Sequence, residues 1–245
     1  MSARTKPILA QIEDLVRDVP GWTPIDQLYT LFNLVYSLAG VKGEIVEIGS
    51  WCGRSTVVLC LAARMTGVRK VHCVDLFPEK EDWAVTPEGH HYIKLSIRGQ
   101  ELEGYKGFGG VWEEPYTRDI APLYAKHGSV YGIFRDTLKR KGMTSLVEVH
   151  RGNSDMFARS VPKSFRCKFA FIDGDHSYKP VRADALNMGR FMVPGGWVAF
   201  DDAFSVYKGV DRAIKEVIIR GSGYELGQQM ARKLFVARKR WSKRR

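Results

Sequence analysis

Asp173, in the stretch Phe169-Ala170-Phe171-Ile172-Asp173-Gly174-Asp175-His176, is followed 28 residues later by Asp201-Asp202. Each acidic cluster directly follows a short apolar run, Lys168–Ile172 and Trp197–Phe200, that reads as a buried strand. A helical pattern and the turn Pro194-Gly195-Gly196, leading into the second run, lie between them. A right-handed crossover of this kind lays its two strands parallel in one sheet. Their carboxyl ends then share the edge at which open α/β sheets bind ligands. Three carboxylates gathered there call for a hard divalent cation. His176, with an ordinary pKa of about 6.5, suits proton transfer at neutral pH, whereas Asp175 would need burial or negative neighbours to serve. Both remain candidate bases. The pattern predicts metal-assisted chemistry at the top of an α/β sheet.

A second constellation is Glu47-Ile48-Gly49-Ser50-Trp51-Cys52-Gly53-Arg54-Ser55-Thr56, again leaving an apolar run. Gly49 and Gly53 let backbone approach a ligand, and Ser55 is placed to cap the helix that follows. Asp75 ends the next apolar run, where an acid ordinarily accepts from the hydroxyls of a ribose. The turn differs from a Gly-x-Gly-x-x-Gly fingerprint because Ser50 and Trp51 occupy it, which favours an adenosyl ligand without a pyrophosphate.

These motifs need a frame. Strands are expected at 44–48, 70–75, 146–150, 168–172 and 197–200, with helices at 55–65, 123–141, 181–192 and 210–219. Alternation of strand and helix predicts a Rossmann-like, doubly wound α/β sheet with helices on both faces. Segments 224–229 and 233–238 predict a C-terminal antiparallel hairpin. Two amphipathic helices within 1–40 form an N-terminal cap, 41–237 the main domain, and 238–245 a basic tail. About 70 residues separate the second and third strands, and the surplus at 77–122 is rich in aromatic residues and glycine. It reads as a mobile substrate lid, with a structural excursion carrying its own small core as the alternative. His90-His91 within it reads as a surface or substrate-contacting pair.

The segment Val46–Ser55 resembles the first motif of the class I S-adenosylmethionine-dependent methyltransferases, in particular the catechol O-methyltransferase group and the bacterial macrocin-type O-methyltransferases. The resemblance covers roughly 21–76 and 131–204. It implies that Gly49 and Trp51 flank the methionine part of the cofactor, Ser55 meets its carboxylate, Glu47 supports the turn and Asp75 the ribose. Asn153 and Ser154, ending the third strand, would lie at the adenine. The cofactor set is thus Glu47, Gly49, Trp51, Gly53, Ser55, Asp75, Asn153, Ser154 and Asp173. The resemblance further implies Mg²⁺ on Asp173, Asp201 and Asp202. The catechol enzymes carry Asn where Asp202 stands and Lys where His176 stands, and they lack the insertion. The expected activity is O-methylation of a small hydroxylated acceptor, such as a sugar or natural-product intermediate. A non-methylating cofactor-binding protein on the same scaffold is the third reading.

Composition bounds the rest. A hydrophobic content of 44% supports a full core. The longest uncharged apolar run, Ser55–Ala63, is too short to span a bilayer. Four cysteines without a CxxC pair predict buried free thiols and a cytoplasmic protein. The net charge is +11, and six basic residues crowd positions 238–245. That tail reads as a solvated end, with RNA or another polyanion as the alternative partner. The N-terminal helices and the lid are candidate surfaces for a homo-oligomer.

Overall fold

The computed structural model describes residues 6–106 and 110–241. Helices α1 (Ile8–Val16) and α2 (Ile25–Ser37) lead into β1 (Glu44–Ile48), α3 (Arg54–Thr66) and β2 (Val71–Asp75). The insertion then supplies β3 (Trp83–Val85), β4 (His91–Ile97), β5 (Gln100–Gly104) and the short α4 (Glu113–Pro115). After α5 (Ala121–His127) and α6 (Val130–Arg140) come β6 (Val147–Arg151), α7 (Ser154–Ser160), β7 (Cys167–Ile172) and α8 (Tyr178–Phe191). The chain continues through β8 (Met192–Phe200), α9 (Lys208–Ala213), β9 (Tyr224–Ala231) and β10 (Leu234–Lys239).

Seven strands form one sheet in the order β6-β2-β1-β7-β8-β10-β9. The first five are parallel, and β10 runs antiparallel to both β8 and β9. Strands buried on both faces must be apolar on both sides, and β1 shows how: Ile45 faces the core built with α2 and α3, while its neighbour Val46 faces the core built with α7 and α8. Phe169 and Phe171 of β7 fill the first core, Ala170 and Ile172 the second. Each fully buried Phe there contributes roughly 2–3 kcal/mol by leaving water. Lys168 fits this strand because its stem is buried and its ammonium donates to the Leu38 carbonyl at 2.9 Å. All four cysteines are buried and free. No helix among the described residues is long and apolar enough to cross a membrane.

Several expectations need correction. The predicted helix 123–141 is two helices, because Gly128 takes φ 76° and Ser129 starts α6 by accepting from the Gly132 N–H. Pro194-Gly195-Gly196 is part of β8, with a register shift against β7 between Cys167 and Phe169 absorbing the extra residues. Helix α7, capped by the Asn153 side chain, has too short an apolar pattern to have been predicted. The described part of the insertion includes an antiparallel sheet, β3-β4-β5, with its own cluster of Ile93, Leu95, Ile97 and Leu102. His91 is buried in it, bonded to Glu113 at 2.6 Å and stacked on Tyr116, so it is no surface residue. In the basic stretch, Arg238 pairs with Glu225, Lys239 donates to the Gly189 carbonyl and Arg240 to that of Tyr224. Its remaining basic residues, Lys243 to Arg245, lie outside the described residues, as do Gly107 and Gly109 of the glycine cluster.

Candidate active site

The turn after β1 is held from below, above and the side. Gly49 has φ 87°, and a Cβ there would overlap the Asp173 carbonyl and lie 2.7 Å from the Gly174 nitrogen. The tips of β1 and β7 can therefore touch only through glycine. Glu47, fully buried beneath the turn, accepts from the hydroxyls of Ser50 at 2.7 Å and Thr56 at 2.5 Å. Burial raises its carboxyl above the ordinary range, against the pull of these hydroxyls. Asp75 accepts from the backbone N–H groups of Ser50, Trp51 and Phe77 at 2.7, 2.9 and 2.6 Å. Those three bonds leave about one of its four acceptor positions for a ligand hydroxyl. Trp51 stands in the left-handed region at φ 47°, a strain that the Asp75 bonds hold in place. The helix cap expected at Ser55 is instead Gly53, whose φ of 91° turns the chain, and Ser55 is the second residue of α3.

Two cavities meet at this turn. The larger, about 420 Å³, is lined by Gly49, Trp51, Asp75, Asn153, Ser154, Asp175 and Asp184 among others. The smaller, about 350 Å³, is lined by Trp22, Trp51, Ser55, Tyr105, Asp173, His176, Asp201, Asp202 and Lys233 among others. Gly49, Trp51, Asp75 and Tyr105 belong to both and form the wall between them. Glu47 and Gly53 line neither; they shape the turn from behind.

The topology delivers the three aspartates as the 28-residue spacing requires: β7 and β8 are parallel neighbours, and oxygens of Asp173, Asp201 and Asp202 lie within 4.8 Å of one another. Lys233, from the β9–β10 hairpin, reaches Asp201 at 3.0 Å and Asp202 at 2.6 Å. Gln27 of α2 donates to Asp201 at 2.6 Å, and His176 Nε2 meets Asp202 at 2.8 Å. Burial alone would raise the Asp202 carboxyl, but His176 and Lys233 outweigh it and hold it at about 2. At Asp173 the charge of Lys233 is outweighed: burial, then the charges of Asp201 and Asp202, push it well above the carboxylate range. Three carboxyl groups crowd around one ammonium, so without a further cation Asp173 is pushed toward its neutral form. On charge and on donor type, the cluster fits a hard divalent cation.

The family model described as "Methyltransferase domain" matches residues 46–203, nearly two-thirds of the chain. This chain belongs to the methyltransferase-domain family. Solved structures place it in the same fold. The O-methyltransferase NovP superposes with a TM-score of 0.62 at 16% identity, over 94% of this chain and 88% of NovP. TomG, the O-methyltransferase from Streptomyces achromogenes involved in tomaymycin synthesis and solved with SAM, gives 0.55 at 15%, over 98% and 93%. CalS11, a TDP-rhamnose 3'-O-methyltransferase of calicheamicin biosynthesis, gives 0.53 at 14%, over 96% of both chains.

The methyltransferase also has site residues that its sequence did not disclose. Lys233 and Gln27 sit in unremarkable strand and helix patterns, and only the tertiary fold brings them to the acids. Tyr105 closes the shared wall, with its backbone N–H donating to Asp175 Oδ2 at 2.6 Å. Asp184 of α8 is buried on the larger cavity, and burial pushes its carboxyl up to about 7. Its folded pKa lies above the unfolded value, so its favourable contribution is complete below about pH 4 and is lost as pH rises through 7. Asp184→Asn is therefore expected to raise the stability measured by urea unfolding more at pH 8, by up to about 4 kcal/mol, than at pH 5. Equal gains at both pH values would show that Asp184 is ionised without penalty.

Proposed function

We propose that this methyltransferase transfers the methyl group of S-adenosylmethionine to a hydroxyl oxygen of a small acceptor, with Mg²⁺ held by Asp173, Asp201 and Asp202. The observation that carries this reading is the pair of cavities with one shared wall. The larger suits the cofactor: Asp75 offers a remaining acceptor for the ribose, and Asn153 and Ser154, the residues expected at the adenine, line the same cavity. The smaller suits the acceptor, because the acids and His176 line it and not the larger one. Its walls come from the insertion, through Tyr105, Pro115, Arg118 and Ile120, and from the loop carrying Trp22. Aromatic plates at Trp22, Trp51, Trp83 and Tyr105 suit the apolar face of a sugar or another ring. That NovP, TomG and CalS11 are O-methyltransferases, and that CalS11 acts on a TDP-sugar, supports the same choice.

The methyl group is already activated on its sulfonium, so the protein must align the acceptor oxygen and receive its proton. A bound metal would supply a lowered pKa and a fixed position for that oxygen. His176 is the better of the two candidate bases. Its Nε2 donates to Asp202, its ring lies on Tyr207 at 3.9 Å, and Nδ1 is buried without a hydrogen-bond partner among the described residues, left for the acceptor's proton once the acceptor is seated. Asp175 is engaged on both oxygens, accepting from Tyr105 N and Ser177 N at 2.6 Å each. Transfer leaves the methyl on oxygen, the proton on His176 and a neutral thioether on the spent cofactor.

Calorimetric titration of S-adenosylhomocysteine, with and without Mg²⁺, tests both halves. Wild type is expected to bind each. Asp75→Asn should weaken the nucleoside by roughly tenfold or more, and Asp173→Ala/Asp201→Ala/Asp202→Ala should lose Mg²⁺ alone. Failure of wild type to bind S-adenosylhomocysteine would overturn the cofactor assignment. Mg²⁺ binding that survives in the triple variant would overturn the metal ligands.

A further inference from the structure

Away from the cleft, on the outer edge of the main sheet, β2 and β6 carry a second cluster. Register pairs His72 with Glu148 and Val74 with His150, so the two histidines and the glutamate project from the same face of adjacent strands. His72 Nδ1 lies 3.0 Å from His150 Nε2. Glu148 offers one oxygen 3.5 Å from His150 Nε2 and the other 4.0 Å from His72 Nδ1. Ligand atoms bound tetrahedrally at Zn²⁺ distances stand about 3.3–3.5 Å apart. The three observed separations bracket that value.

The surroundings fix the rings and leave the site reachable. His72 is buried, stacked on His150 at 5.2 Å between ring centroids and met edge-on by Phe165 at 5.0 Å. Phe157 abuts His150 at 4.8 Å. Glu148 is about half exposed, at 51% of its side chain, so an ion can enter and a water can complete its shell.

We propose that His72, Glu148 and His150 form a binding site for a divalent transition metal, with Zn²⁺ as the natural occupant, that clips the edge strand β6 to β2. Two nitrogens and one carboxylate oxygen select a borderline cation over Mg²⁺, which keeps this site chemically separate from the three aspartates. Its role is structural, because none of its ligands lines either cavity of the active site.

The test is a Zn²⁺ titration of untagged full-length protein in excess Mg²⁺, comparing wild type with Glu148→Gln and His150→Gln. Wild type should bind one equivalent that Mg²⁺ does not displace, and each variant should bind it at least 10–100-fold more weakly. Co²⁺ in place of Zn²⁺ should give visible bands of a tetrahedral nitrogen–oxygen site that both variants lose. Circular dichroism checks folding, and if His150→Gln misfolds, the exposed Glu148→Gln carries the comparison. The absence of a Zn²⁺-binding event in wild type, or unchanged Zn²⁺ affinity in a folded variant, would overturn the site. S-adenosylhomocysteine binding should be the same in all three proteins, so this result is independent of the assignment of the cleft.

Discussion

Asp202→Asn is expected to reduce methyl transfer by about 10³-fold while changing S-adenosylhomocysteine affinity by less than about threefold. The substitution is nearly isosteric, and its backbone cost is small: Asp202 sits at φ 56°, a region Asn enters as readily as Asp. What changes is charge. Asp202 holds His176 Nε2 at 2.8 Å and the Lys233 ammonium at 2.6 Å, and a neutral amide supports neither as well. The base loses its orientation, the proposed metal keeps an oxygen ligand but loses its charge, and both losses act on the acceptor side of the shared wall. Steady-state kinetics and cofactor titration on the same preparation separate the outcomes. Loss of cofactor affinity in parallel with turnover would mean that Asp202 only holds the sheet edge together.

The second large effect concerns space. Gly49→Ala should lower stability by about 3 kcal/mol or more and abolish cofactor binding, because the new methyl would overlap the Asp173 carbonyl. That neighbour is backbone of the adjacent strand and cannot rotate away. Gly67→Ala is the control: Gly67 has a similar φ of 68°, but nothing lies within 4 Å of its position. It should lose only about 1–2 kcal/mol from its left-handed backbone. Equal losses by denaturant unfolding would assign the whole effect at Gly49 to its φ and none to the contact between β1 and β7.

The parallel part of the sheet was legible because each strand is a short apolar run ending in a polar cluster, and the two acids 28 residues apart mark neighbouring strands. The acid cluster could thus be placed before its geometry was known. The insertion was legible only as surplus length. Its strands are short, and their apolar residues, Ile93, Leu95 and Ile97, alternate over one brief stretch among aromatic residues that suggested a mobile lid. Ser55 misled because the cap it could supply is made by the backbone of Gly53. Lys233 was illegible for a different reason. In a chain with 38 basic residues, one lysine in a hairpin carries no local mark of the acids it will meet.

The acid cluster is stapled by residues from opposite ends of the described chain, Gln27 and Lys233. During synthesis, therefore, Asp173, Asp201 and Asp202 emerge from the ribosome well before the lysine that balances two of them. A growing chain that has made β8 but not β10 carries three crowded carboxylates with no ammonium to meet them, and must keep them hydrated, protonated or screened by ions. The cleft thus becomes electrically quiet only after the β9–β10 hairpin is made, and a half-made chain has reason to delay its closure until that hairpin arrives.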